Sequence, residues 1–129
     1  LDVDPVPPEV LAQAEALARE VALPDQSWTQ PVGSLDGASK TRVRLGRALA
    51  LNPHLLVLEH PTAVVERSAV PALAEDIRSL TTRRQLTTLT LTGDLEFAES
   101  IGARVLHWNA ATGAVQEPKR GWWPFRGRQ

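Results

Sequence analysis

Four consecutive apolar residues, Leu55-Leu56-Val57-Leu58, run straight into Glu59-His60-Pro61. A run this short, apolar on both faces and closed by polar residues, has the pattern of a buried strand in a parallel sheet. A parallel neighbour needs a long crossover connection, usually a helix. Downstream, Val70, Leu73, Ile77 and Leu80 form a seam at helical spacing, with Ser68 placed to cap it. Thr87-Thr88-Leu89-Thr90-Leu91 follows, rich in β-formers, and reads as the next strand.

The flanking sequence extends this alternation. Pro8 suits the first turn of a helix from about Glu9 to Leu23, stopped by Pro24, with Val10, Leu17 and Val21 in one stripe. After a loop from Pro24 to Asp36, a second helix is predicted from Ala38 or Ser39 to Leu51, ended by Asn52-Pro53. Asp94 is placed to cap a short helix through Leu95, Ala98 and Ile101, and Gly102 to end it. Arg104 to Trp108 reads as a third strand, and a turn over Asn109 to Gly113 leads to a weaker fourth near Ala114-Val115. The fold class expected is α/β: a short, mostly parallel sheet flanked by helices, with a helical N-terminal piece. Residues 1–8 read as an extended lead-in, 9–117 as one domain, and 118–129 as a flexible tail rich in Trp and Arg.

Composition narrows the functional classes. With 129 residues the chain has room for one modest core. A formal net charge of −1 gives no general attraction to nucleic acid or to an anionic surface. Without cysteine there is no disulfide framework, thiol nucleophile or thiolate metal site, which fits a cytosolic protein. No apolar run approaches the roughly 20 residues that span a bilayer. The N-terminus has no basic and apolar leader regions and no initiator Met, so the chain reads as processed or as a fragment of something longer.

Four local stretches occur in a meaningful order. Leu35-Asp36-Gly37-Ala38-Ser39, followed by Arg42-Val43 and Arg47 to Pro53, resembles the signature loop and helix of ABC-type ATPases. Leu55 to Ala63 resembles their Walker B strand and its Pro-Thr turn, and Val64-Val65-Glu66-Arg67 sits where their D-loop belongs. Thr92 to Ala98 sits where their switch-histidine loop belongs. The resemblance covers about residues 9–117 and implies the C-terminal half of a P-loop-NTPase-like domain.

Measured against that resemblance, the nucleotide-handling positions are altered. Where the family presents a serine to the γ-phosphate held by the opposite subunit, this chain has Asp36, between Leu35 and the small residues Gly37, Ala38 and Ser39. A carboxylate there repels phosphate in a poorly screened site. The Walker B Asp and the water-polarising Glu match Glu59 and His60, and the switch histidine matches Gly93. Glu59 retains a carboxylate for a metal and His60 a base for neutral pH, although polar residues ending a strand are the simpler reading. The family's phosphate loop, base-stacking aromatic and Q-loop are missing. Gly33 to Thr41 ends in Lys40-Thr41 like a phosphate loop, but Ser39 rather than glycine precedes the lysine, and its spacing is one residue too long.

Two further surfaces attract notice. Lys40, Arg42, Arg44 and Arg47 suggest a solvated basic face on the second helix, or a docking face for an acidic partner or a second ATPase domain. The tail around Trp122 and Trp123 mixes cations and aromatics, as at a headgroup region or a partner groove, and reads equally as a flexible end whose tryptophans fold back on the domain. His54, His60 and His107 are too scattered to suggest zinc, so no metal is expected. The leading expectation is therefore a non-catalytic ABC-ATPase-like domain at the inner face of the membrane, partnering a true ATPase subunit or the cytoplasmic loops of a membrane subunit. The alternatives are a fragment of an ATP-binding transporter subunit, using ATP and Mg²⁺ only when an N-terminal half is supplied, and an unrelated interaction module.

Overall fold

The computed structural model describes residues 5–102 and 104–117. The tail with Trp122 and Trp123, and the membrane contact expected of it, lie outside the described residues. In chain order the elements are α1 (Pro8–Glu20), α2 (Gly37–Leu49), β1 (Leu55–Glu59), α3 (Val70–Arg83), β2 (Thr87–Leu91), α4 (Leu95–Ser100), β3 (His107–Asn109) and β4 (Ala114–Gln116). Single 3₁₀ turns occupy Asp25–Ser27, Val32–Ser34 and Arg67–Ala69.

β1 and β2 pair in parallel, from Leu55 opposite Thr87 to Glu59 opposite Leu91, with α3 as the crossover. The core lies on one side of this pair. Leu56 enters it from β1, Leu49 from α2, Leu73, Ile77 and Leu80 from α3, and Phe97 from α4. Helix α1 fully buries no residue within its own span, although Leu17 packs half-buried against the core. Its anchor is Val21, just beyond its end, aided by the bidentate pair of Glu20 with Arg84 at 2.6 Å on each arm. The Arg84 guanidinium holds the Glu20 carboxyl below its ordinary range.

Several boundaries differ from expectation for identifiable reasons. Helix α1 stops at Glu20 rather than Leu23, because Ala22 turns left-handed at φ 55° and the Leu23 amide closes onto the Ala18 carbonyl. Helix α2 begins one residue earlier than read, capped by Asp36, and ends at Leu49. Ser68 does not cap α3; it lies inside the 3₁₀ turn Arg67–Ala69, and α3 starts instead with Pro71 in its first turn. The strand expected over 104–108 begins only at His107 and does not join the parallel pair. It pairs antiparallel with β4, His107 opposite Gln116, as a second small sheet. The Asn109 side chain accepts from the Ala111 amide at 3.0 Å, and Gly113 turns left-handed at φ 68°. This local closure costs little loop entropy.

The basic face of α2 is also smaller than expected. The Arg42 side chain is only 12% exposed and pairs with Asp76 of α3. Three- and four-residue steps put it on the stripe of Leu45 and Leu49, whereas Arg44 and Arg47 are exposed. Among the described residues, no helix is long and apolar enough to cross a membrane.

Candidate functional site

Three loops meet at the carboxyl ends of β1 and β2, the end at which open parallel sheets hold ligands. The first leads into α2. Asp36 caps that helix, its Oδ1 accepting the Ser39 amide and its Oδ2 the Ser39 hydroxyl, each at 2.8 Å. The Ser39 amide, then the Ser39 hydroxyl, hold the Asp36 carboxyl below its ordinary range. The carboxylate is thus turned onto its own helix rather than outward. The chain enters that loop through the 3₁₀ turn Val32–Ser34 and not from a strand. Lys40 therefore lacks the setting of a phosphate-loop lysine.

The second loop follows β1. Glu59 ends the strand exposed, and His60 turns left-handed at φ 44° while its amide donates to the Leu91 carbonyl at 2.8 Å. This sharp bend sends Pro61 and Thr62 under α2. The Thr41 hydroxyl lies 3.1 Å from the carbonyls of Pro61 and Gly37, tying the two loops together. The same bend drives the Val64 carbonyl so close to Gly37 that any β-carbon there would overlap it, 2.5 Å from the carbonyl carbon and 3.1 Å from Val65 Cα. Only glycine permits this approach.

The third loop, Thr92 to Asp94, follows β2. Asp94 Oδ1 accepts the Phe97 amide at 3.1 Å, capping α4. Its Oδ2 accepts the Thr62 hydroxyl at 3.0 Å and pairs with the Arg67 guanidinium, whose other arm reaches Glu96 at 2.8 Å. The Arg67 hydrogen bond holds the Asp94 carboxyl below its ordinary range against desolvation, with the Phe97 amide and Thr62 hydroxyl assisting. Reading the sequence identified Asp94 only as a cap. Its partner Arg67 is 27 residues away, and no local signal links them.

Asp36, Asp94 and Glu20 are all held below their ordinary range in the folded chain. Their stabilising effect is complete above the unfolded carboxylate pKa, near about 4, and is lost as pH falls through the lower folded values. Urea midpoints are expected to be flat from pH 7 to about pH 5 and to drop below about pH 4. Asp94→Asn is expected to flatten that drop.

Loop by loop, the structure brings Asp36, Gly37, Glu59, His60, Glu66 and Gly93 to one end of the sheet pair. Gly93 presents only backbone, and a β-carbon added to it would meet nothing within 4 Å. His54 and His107 do not join this site. Among the described residues, no group of three or more His, Cys, Asp or Glu side chains could hold a metal ion.

No family model matches the chain. The sulfate/thiosulfate import ATP-binding protein CysA 2 of Chromobacterium violaceum is 38% identical over 90 residues, 70% of this chain and 24% of that protein. The methionine import ATP-binding protein MetN of Rhizobium etli is 31% identical over 121 residues, 94% of this chain and 33% of that protein. Among solved structures, the ABC transporter cassette MJ0796, solved as a dimer, superposes with a TM-score of 0.62 at 20% identity, covering 78% of this chain and 43% of that one. The cassette MJ1267 gives 0.61 at 25% identity, covering 78% and 39%.

The chain thus spans about a quarter to two fifths of the first relatives it matches. These matches overturn the expectation that the chain is no enzyme, since the relatives are ATP-binding proteins and the cassette MJ0796 is also solved in a post-hydrolysis state bound to ADP and Pi. They also favour a part of an ATP-binding protein over the scaffold reading, and they remove the unrelated interaction module. In sequence and in fold the chain is similar to ABC-type ATPases, and it fits the C-terminal half of their ATPase domain.

Proposed function

We propose that the chain is the signature-loop, Walker B and switch-loop portion of the ATP-binding subunit of an import transporter, working at the cytoplasmic face of a membrane. The carrying observation is the closure of Gly37 onto the Val64 carbonyl. It packs the candidate signature loop against the candidate D-loop, which is the arrangement a composite nucleotide site requires.

On this reading, ATP is held chiefly by a phosphate-loop half, and this chain supplies the opposite wall. Glu59, an exposed carboxylate at the strand end, fits Mg²⁺, which is usually held by one or two carboxylates together with substrate phosphates. The ion would stabilise negative charge on the phosphates. His60, exposed beside Glu59, is on this reading the side chain that would receive the water proton. Asp94, Thr62 and Arg67 hold the switch loop against the loop after β1, and Gly93 lines the site with backbone alone. The partners implied are a second ATPase subunit facing the Gly37 loop and the cytoplasmic loops of a membrane subunit. The dimeric cassette MJ0796 supports the first of these.

The test is Mg-ATP binding and turnover by the chain joined to a segment carrying the phosphate loop. Saturable binding with turnover is expected. Gly93→His adds a donor where there is open space, and a gain in turnover of about tenfold or more is expected from one new contact to developing charge. A joined protein that binds no nucleotide, or binds it without turnover, overturns the proposal.

A further inference from the structure

The loops after β1 and β2 are acidic. From Glu59 to Ser68 and from Thr92 to Glu96 they carry Glu59, Glu66, Asp94 and Glu96, against one permanent cation, Arg67. Gly93 adds no side chain. A polyphosphate with one Mg²⁺ keeps a net negative charge, so a wall of carboxylates repels it unless a cation is supplied. The pairing of Arg67 suits it to that task. One arm of its guanidinium holds Asp94, whose side chain is 11% exposed and also accepts the Thr62 hydroxyl and the Phe97 amide. Asp94 directly follows Gly93, so this sheltered pair keeps the guanidinium beside Gly93. The other arm reaches Glu96 at 2.8 Å, where both side chains stand in water, Arg67 at 64% and Glu96 at 70% exposure. A pair so exposed contributes little and opens easily.

We propose that Arg67 is a phosphate-binding residue of this site: one arm stays on Asp94, while the other leaves Glu96 and takes the terminal phosphate of ATP. Two phosphate oxygens meet the guanidinium fork with the same planar geometry as a carboxylate. In the hydrolysis step a water oxygen bonds to the terminal phosphorus. The bond to the bridging oxygen breaks with its electron pair going to ADP, the water proton passes to His60, and Arg67 exchanges no proton. Its fixed positive charge attracts the phosphoryl group more strongly as charge shifts in the transition state, so it acts on turnover more than on binding. Glu96 holds the arm until nucleotide arrives. The inference rests on the function proposed above and adds a residue to that same site.

The test uses the chain joined to a segment carrying the phosphate loop, with turnover of Mg-ATP and affinities for ADP and for a non-hydrolysable ATP analogue as readouts. Arg67→Ala is expected to lower kcat by about a hundredfold. Its affinity for the analogue is expected to fall about fivefold, with ADP unaffected because ADP lacks the phosphate concerned. Arg67→Lys keeps the charge but loses the fork, and a loss in kcat of about tenfold is expected. Glu96→Gln frees the arm and is expected to raise affinity for the analogue about twofold or more. Gly93→His added to Arg67→Ala supplies a donor from the neighbouring position and is expected to recover about tenfold in turnover. Unchanged turnover and analogue affinity in Arg67→Ala overturn this inference and leave the function standing. A loss of affinity shared by ADP, or a loss in Glu96→Gln, makes Arg67 a brace between loops only and also overturns it. A joined protein that binds no nucleotide overturns the function itself, and this inference with it.

Discussion

Gly37→Ala is expected to destabilise the chain by about 3 kcal/mol or more, seen as a fall in the urea midpoint. The sign is informative. In the first turn of an ordinary exposed helix, Ala in place of Gly stabilises by about 0.5–1 kcal/mol. Here the new β-carbon would overlap the Val64 carbonyl, and both neighbours are backbone. Relief requires the loop after β1 to move away from α2. That movement strains the Thr41 contact with the Pro61 carbonyl, at 3.1 Å. A stabilised Gly37→Ala protein would mean that the two loops do not close as described.

Phe97→Ala is expected to cost about 3–5 kcal/mol, the range for emptying a buried aromatic site. Phe97 is fully buried and joins α4 to the core centred on α3, and its amide holds the Asp94 cap. Against a total stability of about 5–15 kcal/mol for a domain, this loss leaves a large unfolded fraction. Leu89→Ala makes the contrast. Leu89 is 51% exposed on the outer sheet face, so in the isolated chain its truncation to alanine is expected to change stability by less than about 1 kcal/mol. Parallel urea titrations of the two variants check both expectations.

The parallel pair was legible in the chain itself. The apolar run at Leu55–Leu58, the helical seam from Val70 to Leu80 and the β-formers at Thr87–Leu91 are local patterns with periods that distinguish helix from strand. The Asp94 cap and the Gly102 terminator are equally local and stand where they were expected. So was the order of family-like loops, because it is written along the chain. The short strands after residue 103 were only half legible. Whether His107–Asn109 joins the parallel sheet or folds onto Ala114–Gln116 depends on which closure is nearer, and a four-residue connection is enough to prefer the hairpin.

What tertiary structure decided are the contacts between residues distant in sequence. The alternating burial of β2 assigns Thr88 and Thr90 to the inner face and Leu89 and Leu91, with Thr87, to the outer one, a choice of face that composition alone leaves open. Arg42 reads as one of four cations on a helix until α3 brings Asp76 against it. Asp36 reads as a misplaced charge until the start of α2 gives it the Ser39 amide to cap. Periodicity reports which side of an element is apolar, because that follows from the geometry of one helix or strand. Which carboxylate meets which cation, and which backbone presses on which glycine, follows only when the elements pack.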